Sequence, residues 1–290
     1  MLHSMTGYGR SEYQDDKIFI KVDIKSVNSK GFDLKLKLPM EFSYKEPFLR
    51  SYLQKNLIRG KVDCYINIER EDIVPYEINI SMAKNYYYSI KKLALELGYK
   101  FKKINIIEII MRLPDVLKPS QIVGDEETWQ KILSNIDKAL EELIGFRIQE
   151  GKALEKDLLS HVNLIKNYLE LVNKYEKERI DKIKQRLINA LKEFNENYDK
   201  ERFEQELIYY LEKLDISEEK VRLHNHINYF VQTIENKMVI KGKTLNFITQ
   251  EMGREINTLG AKANHVAIQH LVVKMKDELE KIKEQIANVL

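Results

Sequence analysis

Between Gly151 and Tyr198 the chain contains no proline, and no glycine after Gly151 itself. Leu154, Leu158, Val162, Ile165, Leu169 and Val172 recur there at spacings of four or three residues, which marks one apolar face of a helix. A stripe of that period calls for a partner helix, as in a helix pair or coiled coil. Ile180, Ile183, Leu187 and Leu191 resume it beyond the charged stretch from Lys174 to Arg179, which reads as the reversal. The expectation is two antiparallel helices forming a protruding arm.

What precedes the arm has a different period. In IFIKVDIKSV, Ile18, Ile20, Val22 and Ile24 alternate with polar residues. FDLKLKLP does the same through Phe32, Leu34, Leu36 and Leu38, as half-buried strands do. Asn28-Ser29-Lys30-Gly31 between them has turn composition and suggests a hairpin. A helix over Phe42–Ile58, a strand in KVDCYINIE and a helix over Ser81–Leu97 follow. At least one of Tyr86, Tyr87 and Tyr88 is expected to pack on the sheet, because successive helical positions cannot share a face. From Asn105 the chain reads as helix, with breaks at Pro114 and Pro119.

After the arm, a helix is expected over Glu204–Phe230. His224 and His226 lie two apart on it, about 200° around the axis, so they cannot share a metal ion. The stretch KTLNFITQEMGREINTLGAK carries an apolar stripe of Leu245, Ile248, Met252, Ile256 and Leu259. Its opposite arc holds Glu251, Arg254, Glu255, Thr258 and Lys262. Glu251 and Glu255 meet at a four-residue spacing, where like charges repel mildly; Arg254, Lys262 or a divalent cation would neutralise them. A third arc of Asn246, Gly253, Asn257 and Gly260 suits close approach of another element. The chain closes on Ile268, Val272, Met275, Leu279, Ile282, Ile286 and Val289, a heptad seam serving either this chain's own core or a subunit contact.

With 32% charged residues, 43% hydrophobic residues and only 11 Gly and 5 Pro, the composition suits a helix-rich globular protein rather than a sandwich or a disordered chain. The fold class expected is α+β: a mixed strand and helix domain over 1–150, a helical arm over 151–205 and a helical C-terminal domain over 206–290. A net charge of +3 is too small to announce a polyanion partner, so such a site needs local clustering or pooled subunits. Cys64 is the single cysteine, which rules out an intrachain disulfide and any two-cysteine metal site. No signal core and no membrane-length apolar run is present, and a cytoplasmic setting is the expectation.

Several separated motifs carry a resemblance. SMTGYGR, SVNSKGFDL and Arg59-Gly60-Lys61 in the first half, then EEKVRLHNHINYF, GKTLNFITQEMGREINTLGAK and ELEKIKEQIANV in the second, resemble the YicC-like family over nearly the whole length and in order. The resemblance implies a cytoplasmic endoribonuclease that depends on a divalent metal, Mn²⁺ or Mg²⁺, and works on RNA as a homo-oligomer, a hexamer around a central cavity. It carries the family signature onto Gln250, Glu251, Arg254, Glu255, Asn257, Thr258 and Lys262, and its preceding helix onto Glu218, Glu219, Arg222 and His226. Ser29 and Lys30 stand where the family has His-Arg, so no imidazole is available there. Ala261 replaces the usual Ser.

On that basis Glu251 and Glu255 are the expected metal ligands, with Glu219 or a neighbouring subunit supplying a third. Arg254 and Lys262 would grip phosphates, and His226 would act as general acid or base. Arg10, Asn28, Lys30, Arg59, Lys61 and Asn257 are the expected RNA-binding residues, tracking the backbone with affinity that falls with salt. Three readings compete with this: a plain amphipathic helix with a solvated charged face, a non-catalytic RNA-binding adaptor, and a structural coiled-coil scaffold.

Overall fold

Alternating side chains build the first layer, a sheet of four strands in the order β1-β2-β4-β3. These are β1 (Gly7–Gln14), β2 (Ile18–Val27), β3 (Phe32–Lys37) and β4 (Gly60–Arg70). One face presents Ile20, Val22, Ile24, Leu34, Val62, Cys64 and Ile66, all buried. Onto it pack α1 (Glu46–Leu57), through Leu49, Leu53 and Leu57, and Trp129, Ile132, Ile136 and Leu143 of α4 (Glu126–Phe194). The computed structural model describes residues 1–70, 76–98, 103–119, 124–194 and 200–290.

β2 and β3 do not form the expected hairpin. β4 lies between them, antiparallel to β2 and parallel to β3, so β3-α1-β4 is a crossover unit. Asn28–Gly31 does turn the chain, but across the end of β4, where the Gly60 amide donates to the Gly31 carbonyl at 3.1 Å. The hairpin is instead β1–β2, closed by Asp15, whose carboxylate accepts from the Lys17 and Ile18 amides at 3.0 and 2.9 Å. Those bonds, with Lys131, hold the Asp15 carboxyl well below the usual range. β1 lies directly on α4: a Cβ on Gly9 would stand 1.9 Å from the Ala139 carbonyl oxygen.

A second unit follows: β5 (Tyr76–Ile78), α2 (Ile80–Glu96), α3 (Lys103–Met111) and β6 (Leu117–Pro119). β5 and β6 pair antiparallel, where the sequence suggested only breaks in helix. Tyr86 and Tyr87 pack on Ile106, Ile110 and Val116 of this unit rather than on the large sheet, and Tyr88 is exposed.

The arm departs most from expectation. α4 is one helix of 69 residues and runs straight through Lys174–Arg179. That stretch is charged, but apart from Tyr175 it is made of Lys, Glu and Arg, all good helix formers. Val172, Tyr175, Arg179 and Ile183 continue its inward stripe, Tyr175 only partly buried; the Leu191 side chain lies outside the described residues. The return is made by α5 (Lys200–Lys213), after which Leu214 accepts a hydrogen bond from Arg179. The helix expected over Glu204–Phe230 is therefore two, α5 and α6 (Ser217–Glu235). The Ser217 amide and hydroxyl both donate to Asp215 Oδ1, at 3.0 and 2.8 Å, and fix the turn that leads into α6.

α7 (Gly242–Ala263) and α8 (Val266–Ile286) complete the helical half. All seven residues of the terminal heptad stripe are buried, against α4, α6 and α7 of the same chain, so the seam is intramolecular. Gly253 and Gly260 face α8, where a Cβ on Gly260 would come within 2.9 Å of Val272. The N-terminal residues tie the halves together. Leu2 is buried in the helical core, Ser4 bridges Val289, and the Met5 amide donates to the Asn288 carbonyl at 2.8 Å. The architecture is α+β, and no helix among the described residues is long and apolar enough to cross a membrane.

Candidate functional site

α6 and α7 run antiparallel. Glu219 near the start of α6 meets Lys262 near the end of α7, and Ile234 near the end of α6 meets Lys241 just before α7. Equal rise along both helices sets His226 level with Glu255. The apolar stripe of α7 is buried, which turns Glu251, Arg254, Glu255, Thr258 and Lys262 outward as a ridge beside α6.

The ridge groups are not equivalent. Arg254 Nη1 pairs with Glu251 Oε1 at 2.9 Å, and the Thr258 hydroxyl is spent on the Arg254 carbonyl at 3.1 Å. Lys262 reaches away from Glu251 and Glu255 to Glu219 Oε1, at 2.7 Å. The Glu219 side chain is only 7% exposed, and its second oxygen is buried without a hydrogen-bond partner. Glu255 is half-buried and makes no hydrogen bond or ion pair among the described residues. His226 is half-buried, His224 and Asn257 are exposed. Glu218, immediately before Glu219, pairs with Arg222 one turn on.

Among the described residues no three His, Cys, Asp or Glu side chains stand together as a metal set, so Glu219, Glu251 and Glu255 are not gathered into one. Glu251 and Glu255 remain as two oxygen donors one turn apart, a set that suits Mg²⁺ or Mn²⁺, ions that use one or two carboxylates and fill their shell with water and phosphate oxygens. A hollow lined by Tyr229, Thr233, Asn236, Met238 and Lys241 lies at the other end of the α6–α7 pair and includes none of the ridge carboxylates.

The N-terminal candidates gather elsewhere. Asn28 and Lys30 are exposed on the turn after β2, Lys61 begins β4 beside them, and Arg59 Nε donates to the Ser29 carbonyl at 2.8 Å. Arg10 stands apart on β1, paired with Glu12 at 2.8 Å and Asp23 at 3.6 Å. Beneath the corner lies Arg147 of α4, 3% exposed. Its guanidinium donates to Leu57, Met5 and Arg59 carbonyls and to the Ser26 hydroxyl and has no acidic partner among the described residues. Burial pulls its pKa down to about 10. Sequence reasoning passed over Arg147, although it follows Leu140 and Leu143 on the inward stripe of α4 and so was placed to be buried.

The far end of the ridge is distant from the corner: Glu176, which binds Lys220 in the first turn of α6 at 2.6 Å, stands 29 residues beyond Arg147, roughly 44 Å along α4. Glu251 and Glu255 lie nearer, because Gly253 between them faces Leu279 of α8 and the neighbouring Glu278 binds His161 of α4, 14 residues and roughly 21 Å beyond Arg147.

Residues 2–156 match the family described as "Endoribonuclease YicC-like, N-terminal region", and residues 172–290 match "Endoribonuclease YicC-like, C-terminal". The chain belongs to the YicC-like family. It is 34% identical over 298 aligned residues to "Probable endoribonuclease YicC" of Clostridioides difficile (strain 630). It is 28% identical over 291 to the protein of the same name in Haemophilus influenzae (strain ATCC 51907 / DSM 11121 / KW20 / Rd). Both comparisons cover 100% of either chain.

Proposed function

We propose that this protein is a divalent-metal-dependent endoribonuclease that acts as a homo-oligomer, a hexameric ring, with the α7 ridge as its reactive surface. One observation carries the reading: Glu255 is a half-buried carboxylate without a partner among the described residues, next to an exposed guanidinium and level with a half-buried imidazole. A carboxylate held that way accepts a proton from an attacking hydroxyl, and His226 donates one to the leaving oxygen. Arg254, bound on one side to Glu251, keeps the rest of its fork for phosphate. A bound Mg²⁺ or Mn²⁺, held by Glu251 and Glu255, would offset charge building on the phosphate oxygens. A further protein ligand would have to come from another copy, which would make assembly part of the site.

A second reading has its own support. Lys262–Glu219 and Arg254–Glu251 are already closed as ion pairs, as in an adaptor that binds RNA without cutting it. Wild type and a Glu251→Ala, Glu255→Ala double variant, each given a fluorescent RNA with Mn²⁺, Mg²⁺ or EDTA, separate the two. Cleavage only by wild type, and only with metal, is expected. Equal turnover by both proteins removes the ridge, while binding by both with no cleavage selects the adaptor. Light scattering supplies the subunit number, and a monomer would refute the shared site.

A further inference from the structure

Among the described residues the four-stranded sheet is covered on one face only, by α1 and α4. Its other face points outward with alternate residues of every strand. Tyr65 of β4 is 38% exposed there and Tyr8 of β1 43% exposed. The register puts Tyr65 in a row with Asp23 and Lys37, and Tyr8 in the next row beside Lys25. The two rings are therefore two strands and one two-residue step apart, about 12 Å, far enough for each to hold its own base.

Charge on this face is uneven. Toward β1, Arg10 and Lys21 are neutralised by Glu12 and Asp23. Toward β3 and β4, Lys25, Lys35, Lys37 and Lys61 have no ion pair among the described residues, and Asp33, Asp63 and, farther along β4, Glu69 oppose them. Lys35 Nζ sits 5.9 Å from the centre of the Tyr65 ring, so cation and ring share one surface. Lys30 and Arg59 continue the positive strip around the end of β4, and the uncompensated Arg147 lies beneath that end.

We infer that this open sheet face is the platform on which single-stranded RNA lies, Tyr65 and Tyr8 stacking on bases and Lys25, Lys35, Lys37 and Lys61 following the phosphates. The inference rests on the RNA-cleaving reading of the α7 ridge and adds the substrate class, an unpaired segment. A ring on an open sheet stacks on a base only when that base is not already stacked within a duplex. Stacking with a lysine track gives affinity with little sequence preference, because every base has a π-face. The positive strip leads off the sheet past Arg59, toward the Arg147 region of α4. Glu251 and Glu255 stand roughly 21 Å farther along α4 than Arg147, to be reached by a longer strand or through a neighbouring copy.

The test uses the full chain and two fluorescein-labelled RNAs, a 12-nucleotide oligo(U) and a hairpin duplex, followed by anisotropy in EDTA. The single strand is expected to bind more tightly. Tyr65→Ala is expected to weaken it about tenfold and Tyr65→Phe, which keeps the ring, by no more than about twofold. A Lys35→Ala, Lys37→Ala variant is expected to lower the slope of log affinity against log salt by about 1.4, near 0.7 per lysine. Wild-type affinity in Tyr65→Ala, or preference for the duplex, overturns the platform. So does a change of sedimenting mass in Tyr65→Ala without loss of affinity, which would give the face to a second copy of the chain. Binding that depends on Tyr65 in a protein that cuts no RNA with Mn²⁺ or Mg²⁺ upholds the platform and refutes the nuclease. Cleavage with binding indifferent to Tyr65 does the reverse.

Discussion

Replacing Lys262 with Met leaves a carboxylate stranded. Glu219 is 7% exposed, its Oε1 is held by the Lys262 ammonium at 2.7 Å, and its Oε2 has no partner. Removing one member of a fully buried ion pair costs about 3–5 kcal/mol, chiefly because the other charge stays buried. Lys262 is itself 32% exposed, so solvent reaches the pair and the expected loss falls to about 2 kcal/mol. For a chain of this size that is a drop of roughly 3 °C in melting temperature. Urea unfolding of wild type, Lys262→Met, Glu219→Gln and the double variant completes the cycle. The double variant should recover about 1 kcal/mol or more of the summed losses, since the stranded charge is gone. Additivity within about 0.5 kcal/mol, or a Lys262→Met loss below about 0.5 kcal/mol, would refute the reasoning. The same four proteins sort the functional role of Lys262. If cleavage returns with stability in the double variant, the lysine is a strut between α6 and α7. If stability returns and cleavage does not, its charge is needed at the phosphate.

Gly9→Ala should cost at least about 3 kcal/mol in urea unfolding, because its Cβ would meet the Ala139 carbonyl oxygen at 1.9 Å and backbone must separate; a loss under about 1 kcal/mol would contradict that packing. Cys64 should resist an aromatic disulfide reagent at pH 8 in the folded protein and react only on unfolding, since burial pushes its thiol up to about 12. Glu278 ties α8 to His161 of α4 and to Lys281. Burial works to raise its pKa, but the bonds from Lys281 and His161 outweigh it and hold it below the usual value. A lowered carboxylate adds stability above its unfolded pKa of about 4.3 and loses it as pH falls through the folded value. Glu278→Gln should therefore flatten the acid limb of stability against pH below about 4, and an unchanged limb would remove the pair from the ledger.

The stripes were legible in the sequence and the connections were not. Leu245, Ile248, Met252, Ile256 and Leu259 gave α7 to within a residue at each end, because a single buried face fixes helical phase. The Asn28–Gly31 turn was equally visible, yet turn chemistry is local and cannot show that β4 inserts between β2 and β3. Lys174–Arg179 looked like a reversal because charge was weighed above propensity; with neither Gly nor Pro nothing there stops a helix. The real break, Asp215-Ile216-Ser217, is a turn closed by Asp215 and Ser217, three residues with no Gly or Pro to mark them. At the site, the outward arc of α7 was readable, but the partner of Lys262 was not. Glu219 lies 43 residues away in sequence, and only the antiparallel register of α6 and α7 brings it near.

That α4 is unbroken has a consequence for how the two halves face each other. Azimuth between the Arg147 corner and the α7 ridge is set by residue count along one rod, about 100° for each residue. Removing one residue between them would swing one surface a quarter-turn or more away from the other while shortening the span by only about 1.5 Å. Removing seven would shorten it by about 10 Å yet restore the phase to within about 20°. Whatever strand touches both surfaces is thus measured by the helix in angle far more strictly than in length.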